Sequence, residues 1–406
     1  MSNPTHRLHA SHGPADSNVR SAIFVALLLV VALTASLVAK DVPLKSFRSI
    51  PTQYYTFSTD AADDVAREAV LRMDRMFEEY SRRISNFARP PQGRIPFRLY
   101  SSSADYQADG GPAGSLGVVK WGRGSTGGLT AQLLVTLVDE RQEEGTWHVM
   151  QHEGFHLFAM FSIPRGLPVW VAEGLADYYA ISRFVGDGFV YGRIPENRRH
   201  PLFEMIKAHQ HLPFSKLTAL TSGQWNASLS AHNYLQAWSW VHFLIEGEQG
   251  KRQKPFNDYL AALARGANGP QAWNQFFGRE TNALEEAWKK YWTGLPPNAT
   301  ATLERQIKLM TIASFLTHAA KAGKKYEQLQ ILFTDARRNA VRLPLDPALW
   351  LPPKMLDRAI ESVQPTNVTL TWNGAVPKLV ETQKDGSTIT VTYADGRVVA
   401  TTQPVK

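Results

Sequence analysis

Between residues 148 and 177 the chain reads HVMQHEGFHLFAMFSIPRGLPVWVAEGLAD, which sets three histidines, two glutamates and an aspartate among core-like side chains. His152 and His156 bracket Glu153 as H-E-x-x-H. On a helix, positions four apart stack on one face, so both imidazoles can reach one ion. Zinc suits that pair: nitrogen ligands sit about 2.0–2.1 Å away, and a catalytic site adds a third protein ligand while keeping a position open for water. Glu153, about 100° round the helix from His152, stands beside that position as a base. Glu173 follows His156 after sixteen residues, enough for a helix end, a proline turn and an antiparallel return, and is the expected third ligand. Asp177, one turn beyond Glu173, can accept the second ring N–H of a ligating histidine and fix its tautomer. The plainer alternative for Asp177 is a helix-surface acid paired with Arg183 or with solvent. His148, one turn before His152, is either a spare ligand or a first-turn packing residue.

Several elements must position these groups. TQYYTFSTD (52–60) has the β-branched and aromatic content of a strand, and Asp60 is placed to cap a helix over 61–84. A second strand is expected over 95–101, so the opening is a β-α-β unit. Residues 109–128 are glycine-rich and read as a flexible loop or hairpin; no Gly-Lys-Ser/Thr follows, so they are no phosphate loop. A buried strand (131–139) leads into the helix that carries H-E-x-x-H (144–161), and IPRGLP breaks it. Pro168 then opens a second helix over 169–184. From about 200 to 360 the pattern is mostly helical, and beyond 365 alternation with two Asp-Gly turns predicts a small antiparallel β module.

The chain has 406 residues and no cysteine, which removes disulfides, thiol catalysis and Cys-ligated metals together. Its formal charge is +8, but the basic residues are scattered, so nothing supports nucleic-acid binding. Residues 21–39 run nineteen positions without a charge, long enough to cross a hydrocarbon core of about 30 Å. With Arg7 and Arg20 before it, this run predicts a membrane anchor with a cytoplasmic tail (1–20) and an extracytoplasmic body. A cleaved signal peptide, cut near Thr34-Ala35-Ser36, stays open. Nothing in the sequence sets the oligomeric state.

QHEGFH followed by LPVWVAEGLADYY resembles the gluzincin branch of zinc metallopeptidases and, more narrowly, the DUF1570 group with its peptidase MA-like relatives. The likeness continues more weakly through YYTFSTD, RLYSSSADYQA, YLQAWSWVHFL and FFGRETNALEEAWKKY. It implies an α+β fold, a small sheet subdomain over a mainly helical one with zinc in the cleft, across residues 48–295. A helical extension (296–360) and the β module (365–406) would follow. It also implies that His152, His156 and Glu173 ligate zinc and that Glu153 is the catalytic base. The helix the family places after the site offers Tyr234, with His232 second, as the donor to a developing oxyanion; alternatively Tyr234, Trp238 and Val241 are only a core stripe. The departures are a short gap from His156 to Glu173 and the lack of a G-x-M-E-N-like segment, which disfavours an aminopeptidase. The expectation is therefore a membrane-anchored, extracytoplasmic zinc metallohydrolase acting on peptide or protein. Its rival is a catalytically silent metal-binding protein of the cell envelope.

Overall fold

The computed structural model describes residues 47–404, apart from short stretches at 86–88, 92, 124–128, 138–142, 164–165, 229 and 279–280. The expected tail (1–20) and apolar run (21–39) lie outside the described residues. Among the described residues no helix is long and apolar enough to cross a membrane.

Alternation in YYTFST builds β2 (Tyr55–Thr59), with Tyr55, Phe57 and Thr59 buried. β1 (Arg48–Pro51) pairs antiparallel with it; it is short and buries no residue fully, so the apolar pattern does not show it. α1 (Asp63–Arg83) turns Ala66, Ala69, Met73, Met76, Phe77 and Tyr80 inward and crosses to β3 (Ile95–Tyr100), which runs parallel to β2. Asp60 does not cap α1, whose first cap is Ala62 with no side-chain bond. The parallel pairing lays the ends of β2 and β3 side by side, so the Asp60 carboxylate instead accepts from the Ser101 backbone N–H (2.7 Å) and hydroxyl (2.6 Å). After α2 (Ser103–Ala108), part of the glycine-rich stretch is a strand: β4 (Gly117–Arg123) forms a hairpin with β5 (Leu129–Thr136). The sheet order is β1-β2-β3-β5-β4, which leaves β4 as an edge.

α3 (Glu143–Ser162) packs on this sheet, and α4 (Val169–Ile181) returns beside it from Pro168, whose carbonyl accepts from the Val171 and Ala172 N–H groups. α4 stops three residues short of the expected end. Phe184 fits the helical pattern but is buried in a different core, and its strand β6 (Arg183–Phe184) pairs with β7 (Phe189–Val190). Among the described residues seven helices follow: α5 (Glu196–Lys207), α6 (Phe214–Ala219), α7 (Ser222–Ser228), α8 (Ala231–Gly250), α9 (Gln253–Ala264), α10 (Gly269–Phe277) and α11 (Thr281–Gly294). α8 is the spine of this layer; Trp238, Trp240, Val241, Phe243 and Leu244 on it are wholly buried. It can approach α4 closely because Gly174 has no side chain: a Cβ there would lie 2.6 Å from the Ala237 carbonyl oxygen and 2.6 Å from Val241 Cγ2.

The remaining chain, α12 (Ala301–Lys321), α13 (Leu329–Arg337), α14 (Pro353–Ile360) and the sheet β8 (Val368–Asn373), β9 (Val376–Thr382), β10 (Thr388–Ala394), β11 (Arg397–Gln403), buries a second core. Its strands are antiparallel in the order β11-β10-β9-β8, and Asp395 and Gly396 both take the positive φ that a two-residue hairpin needs. α12 packs on this sheet, so helices and strands share one core here: Ile312 and Phe315 with Leu379, Ile389 and Val391. The fold is mixed α+β with a C-terminal antiparallel sheet.

Candidate metal centre

α3 is buried on nearly every side, so its polar residues need internal partners. Gln151 spends its amide on the end of α4, donating to the Tyr179 (3.0 Å) and Ala180 (3.1 Å) carbonyls. This bond and the Gly174 contact fix α4 between α3 and α8. Glu173 and Asp177 then face the histidines of α3.

His152 Nε2 and His156 Nε2 lie 3.0 Å apart, and each is 3.3 Å from Glu173 Oε2. The other ring nitrogen of His152, Nδ1, is 3.0 Å from Asp177 Oδ1. A ring that donates Nδ1–H to Asp177 presents a lone pair at Nε2. Three lone pairs converging in a buried site repel one another unless a proton or a cation lies among them. Donors around a four-coordinate metal at about 2.0–2.1 Å are about 3.3–3.4 Å apart, close to the spacing of this triangle. His152, His156 and Glu173 therefore form a group that can hold a metal ion, with all ligand atoms within 4.8 Å of one another. Burial acts to lower the pKa of His152, but hydrogen bonds and charge from Asp177 and Glu173 outweigh it and push it up to about 10. Burial likewise acts to raise Glu173, and the two histidines reverse this, holding it down at about 2. Both shifts express the same demand for positive charge at this point.

Asp177 is not a surface acid. It is 1% exposed, its partner is Arg198 (Nη1 to Oδ2, 2.6 Å) rather than Arg183, and His148 Nε2 lies 3.5 Å from its Oδ1. Despite its burial, Arg198 and the histidines hold its carboxyl well below the ordinary value. His148, His152 and Asp177 form a second group of possible ligands, but the Arg198 guanidinium already supplies the cation there.

Glu153 is wholly buried, and among the described residues neither of its carboxylate oxygens has a hydrogen-bond partner. Burial pushes its carboxyl above the ordinary value; His156 and His152 oppose the shift and Glu173 adds to it. Such an orphan is costly, and it sits one residue from His152. Gly117, at the start of edge strand β4, leaves room for it: a Cβ there would be 3.0 Å from Glu153 Cγ and 2.5 Å from Val149 Cγ1. Gly154 similarly makes way for the Met73 methyl, 2.7 Å from where its Cβ would be. The chain pattern contains Gly117 but carries no sign of this contact.

Tyr234 is buried, edge-on to Trp225 at 5.2 Å. Burial first, then the charges of Glu173, Glu153 and Asp177, raise its pKa, so its hydroxyl stays protonated and able to donate. His232 is exposed. Trp238 and Val241 are core, while Trp170, Tyr178 and Tyr179 are buried packing residues. Arg198 was not apparent from the sequence, because NRRH offers two adjacent arginines and no local rule separates them.

Residues 148–266 match a protein-family model described as a protein of unknown function, DUF1570. The matched segment runs from α3 past the end of α9 and contains His152, Glu153, His156, Glu173, Asp177, Arg198 and Tyr234. The resemblance to DUF1570 is supported over that segment, and the family's description carries no activity. No curated protein matches the chain.

Proposed function

We propose that this centre holds zinc and that the protein is a gluzincin-type metallohydrolase, acting on peptide or protein outside the cytoplasm. The observation that carries the reading is Glu153, an unpartnered buried carboxylate next to three donors arranged for one ion. His152, His156 and Glu173 would hold the metal. Zinc bound there would supply Lewis acidity towards a carbonyl and would lower the pKa of water towards about 7. Glu153 takes a proton from the attacking water and delivers it to the leaving amine; a carboxyl raised by burial is suited to both steps. Tyr234 donates to the oxygen that gains charge as the carbonyl becomes tetrahedral. A peptide substrate is favoured by β4: it is an edge strand, its first residue lies against Glu153, and an open strand edge binds extended backbone through its free N–H and C=O groups. The charge-free run 21–39 supports the membrane anchor.

The test uses the full chain, metal analysis and digestion of a broad peptide library. Zinc at one per chain and cleavage of peptides are expected. Glu153→Gln should retain zinc while turnover falls about 10²–10⁴-fold, the usual worth of a general base. Stoichiometric zinc with no cleavage by the unmutated chain would overturn the enzymatic reading in favour of a silent metal-binding protein.

A further inference from the structure

Asp177 joins α4 to three other groups: His152 Nδ1 at 3.0 Å, His148 Nε2 at 3.5 Å and Arg198 Nη1 at 2.6 Å. Oδ1 faces both histidines, and among the described residues Oδ2 pairs with Arg198. The arginine comes from the first turn of α5. Its neighbour Arg199 is directed elsewhere, to Glu196 (2.7 Å) and the Leu295 carbonyl (3.3 Å). The Arg198 guanidinium also lies over the Trp238 ring at 5.5 Å, so it is held by α8 as well as by α4.

A carboxylate bonded through one oxygen can pivot about its side chain. Here the pivot has a destination, because His148 approaches the same Oδ1 that His152 uses. A strong bond at Oδ2 removes the freedom, as charge-assisted pairs with arginine are short and directional. We propose that Arg198 is a positioning residue of the metal centre: its guanidinium fixes the Asp177 carboxylate, which in turn holds the His152 ring with Nε2 towards His156 and Glu173. Arg198 reaches no ligand itself and acts wholly through Asp177. The inference rests on the metal-centre reading above and adds to it the element that keeps the ligand set formed.

The test measures zinc affinity of the full chain by competition with a chelator, and the visible absorption spectrum of the cobalt-loaded chain. Arg198→Met should weaken zinc binding by about 10–100-fold, the usual effect of losing a group that orients a ligand, and should alter the cobalt spectrum. Arg198→Lys, which keeps the charge but not the planar fork, should recover part of the affinity and guards against a fold defect in the methionine variant. In an Asp177→Asn background, Arg198→Met should have no further effect, because the two act in series. Unchanged affinity and spectrum in a folded Arg198→Met chain would overturn the proposal, as would losses at Arg198 and Asp177 that simply add. Failure of the underlying reading has its own signature: His152→Ala would bind zinc as tightly as the unmutated chain.

Discussion

Two donor groups share the His152 ring, and they differ in where their positive charge comes from. On the Nδ1 side, Asp177 meets His148, His152 and the Arg198 guanidinium. On the Nε2 side, Glu173 meets His152 and His156, and among the described residues its ion-pair partners are these two histidines alone. Both groups have the residue types of a metal site. Among the described residues, the second group has no arginine or lysine partner. A buried carboxylate that the fold has already neutralised with a guanidinium is a support, whereas one that meets two imidazoles and no arginine or lysine among the described residues is a place for an ion.

The largest effect should come from removing the carboxylate on the open side. Glu173→Gln leaves two imidazoles and a neutral amide, and stoichiometric metal should be lost on dialysis, as read by metal analysis. The matching change on the closed side, Asp177→Asn, should leave metal bound but about 10–100-fold more weakly. Equal losses from the two changes would erase the distinction between the groups.

Helix placement sharpens the comparison at a smaller scale. Gly174→Ala drives a Cβ against the Ala237 carbonyl, 2.6 Å away on the α8 backbone, which cannot yield without moving the helix. It should destabilise the protein by about 1–3 kcal/mol, measured by denaturant unfolding, and should weaken metal binding as α4 shifts. Gly154→Ala meets the Met73 methyl at 2.7 Å, the free end of an adaptable side chain. Its clash is offset by the gain of about 1 kcal/mol in helix propensity, so its effect should be near zero. A Gly154 variant as damaging as the Gly174 variant would show that α3, not α4, is the constrained helix.

The smallest predicted effect is a pH dependence of the metal-free chain. His152 is raised from 6.5 to about 10, so its contribution is fully present below about pH 6.5 and is lost as pH rises through about 10. Glu173 is lowered from 4.5 to about 2, so its contribution is present above about pH 4.5 and is lost as pH falls through about 2. Thermal midpoints of the metal-free chain should therefore be highest between about pH 4.5 and 6.5 and decline on both sides. A His152→Ala chain should lose the alkaline decline; if the decline persists unchanged, another group causes it.

Much of the centre could be read in the sequence because its parts obey local rules. His152 and His156 share a helix face by spacing alone, and Pro168 marks the start of the helix that carries Glu173. The mostly helical character of about 200–360 and the C-terminal hairpins also follow from periodicity and from the Asp-Gly turns. Other residues could not be read in this way. Asp60 has the type and place of a helix cap, yet it binds Ser101, a neighbour created by parallel strand pairing forty-one residues away in sequence. Phe184 extends the helical pattern of α4 but is claimed by the second core. Arg183 is the arginine nearest Asp177 in sequence, yet packing brings Arg198 to it instead.

By itself the sequence determined the donor types, the four-residue step between the histidines and the return of a carboxylate on the next helix. Hydrogen bonding within a helix sets positions only over a turn or two, so those statements needed no wider context. Tertiary structure alone decided that Glu173 meets both imidazoles, that Asp177 is buried with a guanidinium, and that Glu153 is buried beside an edge strand with no hydrogen-bond partner among the described residues. Such outcomes depend on how closely separate elements approach, which here turned on Gly174, Gly117 and the amide of Gln151. Ion pairing and desolvation then followed from that distance, because both change steeply over a few ångströms in a buried site.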